Sequence, residues 1–371
     1  MMTNVLVFGM NDNPGGMESF IMSYYRRIDR ERVRFDFLTN CPTIAYEDEI
    51  RALGGQVYKI CARSKNPRLY REQLTAFFTQ HAAEYQVFWM NTCSLANIDY
   101  LKMAKVYRIP CRIIHSHNSQ NMDSALRGLL HKLNKRTIAN YATDFWACSR
   151  KAGEFFYSPA ILASDRYREI HNAIDCDRFT FDPDERQAVR EEFSLTDKLV
   201  IGHIGRLHFQ KNQTFLLDVF ARAHAIQPNA RLLIIGQGED DAMLKEKVAA
   251  LGLNEAVIFT GVRNDIPRLL QGMDVFALPS LFEGLPVVLV ETQAAGLAAV
   301  VADTVSEEAK LTEQLTFLPL DAGVEDWAHA LLDAAKRPRA DGRAALAAAG
   351  YDIRTEAAAL QALLEGTRED V

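Results

Sequence analysis

Short apolar runs of strand length alternate with amphipathic helical stretches along this chain. At mid-length the alternation stops and then starts again. In the first half the runs fall at residues 4–8, 35–38, 57–60, 87–90, 112–114 and 145–147, with helical stretches at 18–30, 68–82 and 95–107. Apolar residues three and four apart mark the helices, and the runs are too short to be helices themselves. Strand–helix alternation of this kind demands a parallel sheet, because parallel neighbours need a crossover that carries the chain back to its starting edge. The segment HNAIDCDRFTFDPDERQAVREEF (171–193) is polar and strand-poor, and it reads as a connector. The runs resume with LVIGHIGRL and continue at 231–235, 257–259, 275–278 and 299–301. The expected fold class is therefore α/β, with two doubly wound domains at 1–172 and 173–371. The Ala-rich tail from 325 to 365 reads as helical and free to pack back on the first domain. A chain of 371 residues is long enough to bury a core in each.

Composition removes several classes of function. No stretch reaches the roughly 18 apolar residues that a membrane span requires. The N-terminus enters a strand without a basic segment before it, so no signal peptide is expected. Six cysteines stand apart with no CxxC pair, which argues against a zinc site and a disulfide scaffold and fits a reducing cytoplasm. Up to residue 170 there are 23 basic against 16 acidic side chains; beyond it the figures are 19 and 32. A basic front half suits an anionic partner such as a membrane surface, and ordinary surface variation explains it nearly as well. The acidic whole gives no reason to expect nucleic acid. In SALRGLLHKLNKRTIANY (124–141), Leu126, Leu129, Leu130 and Leu133 share a helical face amid basic residues. That pattern fits a helix lying on an anionic membrane, and slightly better a core-packed helix with a solvated basic side.

Ligands of open parallel sheets bind beyond the C-terminal strand ends, so the loops that follow strands carry the informative residues. After the first strand, GMNDNPGGMES places Gly15 and Gly16 before a helix. Their amides suit an anion, and a plain tight turn fits as well. CRIIHSHN ends a strand with His115 and His117 on one side of the extended chain. There an imidazole can bond a sugar hydroxyl or stabilise charge, while a metal site lacks a third ligand of suitable spacing. GRLHFQKN follows the first strand of the second half, and its Arg206 and Lys211 suit a diphosphate. PSLFEGLPVVLVETQAAG carries Glu283 and Glu291 eight apart. The backbone amides of Gly284 and Leu285 stand at a helix start, and the carboxylates suit pairs of sugar hydroxyls.

Together these segments resemble retaining GT-B glycosyltransferases with the E-x7-E signature (glycosyltransferase family 4-like), of the exopolysaccharide and capsule type. FEGLPVVLVE carries the signature. GGMES, HSHN, HNAID and GRLHFQKN agree with the family in order and position over about residues 1–320. The resemblance implies two Rossmann-like domains facing across a cleft, the first for the acceptor and the second for the nucleotide-sugar donor. It implies transfer of a hexose or N-acetylhexosamine from a UDP-sugar to a growing glycan or lipid-linked acceptor in surface or lipopolysaccharide assembly. Arg206 and Lys211 would hold the diphosphate, Glu291 the ribose and Glu283 the transferred sugar. The amides of Gly284 and Leu285 would meet sugar or phosphate, and Gly15 and Gly16 would close over the diphosphate. One histidine would sit by the donor sugar; His117 is preferred because Asn118 follows it, with His115 as the alternative. The base would lie near residues 261–264. No cofactor or metal is expected, since fixed cations replace it. The location implied is cytoplasmic, with peripheral contact to the inner membrane face.

Two D-x-D triplets, Asp175 with Asp177 and Asp182 with Asp184, match a metal-binding pattern of another glycosyltransferase fold. Both lie in the connector and read as linker carboxylates. Ala173 stands where the family commonly has Gly. A non-catalytic nucleotide-sugar-binding or scaffold protein on this fold would lose Lys211, Glu283 or Glu291, and all are present. A UDP-sugar epimerase would release free UDP without an acceptor. An NAD-dependent oxidoreductase is disfavoured, because IGQGED lacks the third glycine of the dinucleotide motif.

Overall fold

The computed structural model describes residues 2–119 and 124–366. The chain divides into two compact domains, Met1–Ala173 with Ile353–Val371, and Ile174–Asp352. The first domain holds β1 (Thr3–Phe8), β2 (Val33–Thr39), β3 (Val57–Lys59), β4 (Val87–Thr92), β5 (Cys111–Ser116), β6 (Asp144–Ala147) and β7 (Tyr167–Glu169), in the order β3-β2-β1-β4-β5-β6-β7. The second holds β8 (Leu199–Ile204), β9 (Ala230–Ile235), β10 (Val257–Phe259), β11 (Val275–Leu278), β12 (Ala298–Ala302) and β13 (Leu315–Leu318), in the order β10-β9-β8-β11-β12-β13. The pairings within each sheet are parallel. Each order runs outward from its first strand, then starts again on that strand's other side. The loops leaving β1 and β4, and those leaving β8 and β11, therefore turn to opposite faces and open a crevice at the sheet's C-terminal edge.

Helices cover both faces of each sheet, so the central strands are buried on both sides and read as continuous apolar runs. In the first domain Leu6, Phe88, Ile114 and Phe145 enter one core layer, while Val5, Val7, Phe35, Trp89 and Ile113 enter the other. The second sheet divides in the same way: Leu233, Phe276 and Val301 lie on one side, Ile201, Leu232 and Val300 on the other.

Two edge strands and the connector depart from the sequence reading. The edge strands β7 and β13 have no counterpart in it. Tyr167–Glu169 carries two charged residues and Leu315–Leu318 is mostly half-buried, so neither forms the apolar run by which a central strand is recognised. The expected connector is folded into the second domain. It contains the helix Pro183–Glu192, with Pro183 in the first turn and Asp182 capping it by accepting the amides of Asp184 (2.9 Å) and Glu185 (3.3 Å). Val189 of this helix is fully buried, and Arg190 donates to Asp274 at 2.6 Å. The Ala-rich tail is three helices. Gly323–Ala334 and Arg343–Ala348 complete the second domain, while Ile353–Gly366 returns to the first.

That last helix buries Ile353, Ala357, Leu360 and Leu364 in the core layer that holds Phe20, Tyr24 and Trp89. Gln361 accepts the Asp29 amide at 3.0 Å, and Arg32 pairs with Glu365 at 2.5 Å. Leu360→Ala is expected to cost the first domain about 2–5 kcal/mol, the usual range for a cavity in a packed core. Hydrogen exchange should then accelerate in β1 and β2 and leave the second domain unchanged; unaltered exchange in β1 and β2 would contradict this role.

Candidate functional site

Pairing between β8 and β11 ends at Ile201↔Val275 and Gly202↔Phe276, where the strands begin to part. His203 spans the widening gap. Its Nδ1–H donates to the Ala277 carbonyl at 2.9 Å, and its Nε2 accepts from Gln213 Nε2 at 3.1 Å. Gln213 Nε2 also donates to the Arg206 carbonyl at 2.8 Å, so the loop after β8 is tied to the sheet. The loop is held from a second side as well. The Leu281 amide donates to the Gln210 carbonyl at 2.8 Å, and Gln210 Nε2 donates to the Phe282 carbonyl at 3.0 Å. The loop after β9 lies close behind: Gly236 has φ +134, and a Cβ there would strike the Gly205 carbonyl.

Across this crevice Lys211 Nζ lies 2.6 Å from Glu283 Oε1, with both side chains largely buried. Lys211 is positioned by close packing, since a Cβ at Gly205 would sit 3.2 Å from its Cε. Arg206 is 70% exposed and pairs with Glu239 at 3.1 Å. His208 Nε2 approaches the other oxygen of the same carboxylate at 3.3 Å. The amides of Gly284 and Leu285 form no hydrogen bond within the described residues. They precede the helix Val287–Ala294, so Glu283 lies before the helix and Glu291 within it. The Glu291 carboxylate has no hydrogen bond or ion pair among the described residues. Burial pushes its carboxyl up to about 7, against a smaller opposing pull from the Arg178 cation.

In the first domain the loop after β1 begins at Gly9, whose φ of +134 excludes a side chain; a Cβ would lie 2.6 Å from the Asn91 carbonyl. Gly15 caps the helix Gly16–Tyr25, and buried Glu18 closes the cap. Glu18 Oε2 accepts the Gly15 amide at 3.1 Å, and Oε1 accepts Asn11 Nδ2 at 2.8 Å. Of the two glycines, Gly15 thus has its amide engaged, while Gly16 has open space where a Cβ would be. The ring centroids of His115 and His117 lie 4.3 Å apart, but the two surroundings differ. His115 is 0% exposed, stacks on Trp89 and accepts its indole N–H through Nδ1 at 3.3 Å. His117 is half-buried at the strand end, with Nε2 2.8 Å from Asn91 Oδ1. An amide oxygen only accepts, so Nε2 carries the proton and the Nδ1 lone pair is left for another donor. Burial lowers His117 to about 3 and holds His115 well below the usual imidazole range.

Within the second domain Lys211 and Glu283 meet as an ion pair, and Glu291 follows on the next helix. Arg206 stands apart on the loop's outer side. Asn91, His203, Gln213 and Glu239 were not read from the sequence. Asn91 and His203 each lie at the end of a strand on either side of a strand-order reversal, a signal that appears only when the order is known. The loop at residues 261–264 has Gly261 in the left-handed region at φ +69, and Arg263 pairs there with Asp265 at 2.7 Å. Ala173 needs no left-handed conformation.

The buried histidines set an acid limit on stability. His203 is lowered to about 4, chiefly by burial, with Lys211 contributing in the same direction. Below pH 6.5 the unfolded chain binds protons at His117 and His203 that the folded chain refuses, so stability falls as pH drops from 6.5 toward 4. Imidazole NMR should show both rings neutral at pH 5.5; protonation of either near pH 6.5 in the folded protein would sink this reading.

Comparison with known proteins bears on the family and the fold. The family model for glycosyl transferases group 1 matches residues 184–351. EpsF of Bacillus subtilis (strain 168), described as a glycosyltransferase, is 32% identical over 370 residues, covering 94% of this chain and 92% of that protein. The Escherichia coli UDP-Gal:alpha-D-GlcNAc-diphosphoundecaprenol alpha-1,3-galactosyltransferase is 26% identical over 207 residues, covering 54% of this chain and 53% of its own. The crystal structure of Anabaena HepE in complex with UDP superposes with a TM-score of 0.78 at 19% identity, over 98% of this chain and 100% of that one. Two parallel-sheet domains with such neighbours make the fold GT-B. The identity with EpsF extends over nearly the whole of both chains and agrees with the family model on the second domain: the chain belongs to the group 1 glycosyl transferases.

Proposed function

We propose that this glycosyltransferase moves a hexose or N-acetylhexosamine from a UDP-sugar to a growing glycan or lipid-linked acceptor. Transfer retains the anomeric configuration and needs no metal ion. It takes place at the cytoplasmic face of the membrane, in surface or exopolysaccharide assembly. The observation that carries this reading is the crevice of the second sheet. There Lys211 and Glu283 meet at 2.6 Å, and the unbonded amides of Gly284 and Leu285 introduce the helix that holds Glu291.

Each group has a chemical role in the proposal. A bound diphosphate draws Lys211 from Glu283, and Arg206 from the exposed Glu239. Glu283 is then free to accept hydroxyls of the transferred sugar, and Glu291 to accept the two of the ribose. As the anomeric C–O bond breaks, its electron pair moves to the diphosphate oxygen, where Lys211 and the free amides stabilise the growing charge. The acceptor hydroxyl oxygen bonds the anomeric carbon on the same face, and its proton passes to the leaving phosphate oxygen. Gly15 and Gly16, at the start of a helix, are assigned to the diphosphate. His117 stays neutral and offers its Nδ1 lone pair to a hydroxyl of the donor sugar; His115, enclosed by Trp89, supports it from behind.

Calorimetry of UDP binding in EDTA tests the donor site. Wild type is expected to bind, and Lys211→Ala to bind about 1.5–3 kcal/mol more weakly, the range for charge-assisted phosphate contacts. If wild type binds neither UDP nor GDP nor ADP, the donor assignment fails.

A second measurement isolates Glu291. Its carboxyl is protonated below about 7, and only the carboxylate accepts both ribose hydroxyls. UDP affinity should therefore rise between pH 6 and 8 more steeply in wild type than in Glu291→Gln, the variant serving as the baseline for phosphate titration. Parallel pH profiles would remove Glu291 from the ribose contact.

A further inference from the structure

Asn91 is the penultimate residue of β4, the strand between β1 and β5. Its side chain is 1% exposed, and the loop after β1 closes on it. A Cβ at Gly9 would lie 2.6 Å from the Asn91 carbonyl oxygen and 2.8 Å from the Asn91 Cβ. Asn91 Oδ1 meets His117 Nε2 at 2.8 Å, while Nδ2 has no hydrogen bond among the described residues. A buried amide with one end unmet is costly to keep, so packing alone gives no reason for Asn at this place. The end that is met is the one that orients an imidazole. Phe20 stands edge-on to the same ring at 5.0 Å, and the His117 amide donates to the Thr92 carbonyl at 3.1 Å. The ring is therefore held in one rotation, with Nε2–H toward Asn91 and a lone pair on Nδ1. His115 is a second ring 4.3 Å away, its Nδ1 taken by the Trp89 indole. Burial disfavours the charged form of both.

We propose that Asn91 is a positioning residue that sets sugar specificity: it fixes His117 as a hydrogen-bond acceptor, so the sugar group that meets His117 is a hydroxyl that donates. A carboxylate, a phosphate or a fluorine at that position of the sugar offers no proton to the Nδ1 lone pair. The substrate class is thus a donor sugar that keeps a free hydroxyl there, and acidic substitution at that position is excluded. This rests on the assignment of His117 to the donor sugar made above. Asn91→Asp keeps the shape and reverses the proton. An ionised carboxylate beside a neutral ring is an uncompensated buried charge, so the pair takes up one proton. The ring's own proton is then shared between Nε2 and the carboxylate, and the added proton sits on Nδ1, which becomes a donor.

Nitrogen NMR of the imidazoles and calorimetry on the full chain test this together. In ligand-free wild type His117 should be the Nε2–H tautomer, and in Asn91→Asp its Nδ1 should be protonated. UDP-glucose or UDP-galactose, whichever binds more tightly than UDP, is compared with analogues in which each sugar hydroxyl in turn is replaced by fluorine. Fluorine accepts weakly and never donates. Analogues altered at a contacted hydroxyl should bind wild type about tenfold more weakly than the parent. At one position Asn91→Asp should restore most of that loss, and His117→Ala should erase the difference at the same position. Positions that meet Glu283 should stay weak in both variants, and UDP itself should bind all three proteins within about twofold. Protonation of Nδ1 in wild type overturns the inference, and so does a series in which Asn91→Asp restores no position. Circular dichroism checks folding; should Asn91→Asp not fold, the wild-type tautomer and the His117→Ala series decide. Wild type that binds no UDP removes the donor reading and the sugar contact with it. Wild type that binds UDP but treats every analogue as the parent keeps the donor site and overturns the inference.

Discussion

Parallel pairing forces every strand of this protein to end at the same edge of its sheet. The reversal of strand order then decides which two loops face one another there. In the second sheet that place is between β8 and β11, where pairing stops at Gly202 and Phe276 and His203 bridges the gap to Ala277. Lys211 and Glu283 are 72 positions apart in the chain and meet only because their loops flank this reversal. The close approach of Gly205 and Gly236 and the hydrogen bonds of Gln210 and Gln213 hold the loop that carries Lys211. A chain that kept the motifs but wound the strands in another order would hold the same side chains in different company.

The electrostatics of the second domain divide its carboxylates by what they face. Glu283 and Glu239 each hold a cation of the loop after β8. Glu291 holds none, and its carboxyl is raised from 4.5 to about 7 by burial. That displacement corresponds to something on the order of 3 kcal/mol against the charged form. A half-buried carboxyl held away from its charged form is a feature that gathers at functional sites. Breaking a buried ion pair from one side costs about 3–5 kcal/mol, so Lys211 gives up Glu283 readily only to another anion.

The two histidines of the first domain show how one strand end makes unlike sites. Both are kept neutral by burial, but His115 is enclosed by Trp89 and Trp146, whereas His117 stands at the margin with one nitrogen held by Asn91. Sequence context favours His117 through the polar residue after it and leaves His115 open; the structure shows only that the two rings have different surroundings. The 125–137 helix makes a related point. Its leucine spacing is plain in the sequence, and the same spacing fits a core-facing helix. Only the hydrogen bonds of His131 and Asn134 to Leu95 turn the leucines outward.

Local chemistry decided what could be read without the structure. The central strands of both sheets, buried on both faces, announce themselves as apolar runs, and the restart of the pattern announces two domains. The edge strands β7 and β13 bury too little to leave that trace, and the helix Pro183–Glu192 hides its single buried valine among charges. The motifs GRLHFQKN and FEGLPVVLVE are legible as charged side chains and glycines gathered at loop and helix starts. Which of them meet was left to the tertiary structure. Strand order joins Lys211 to Glu283, leaves Arg206 on the outer side, puts Asn91 behind His117 and brings the last helix back to the first domain. Side-chain type is a property of the sequence, but proximity, burial and the charge state that follows from burial are properties of the packed chain.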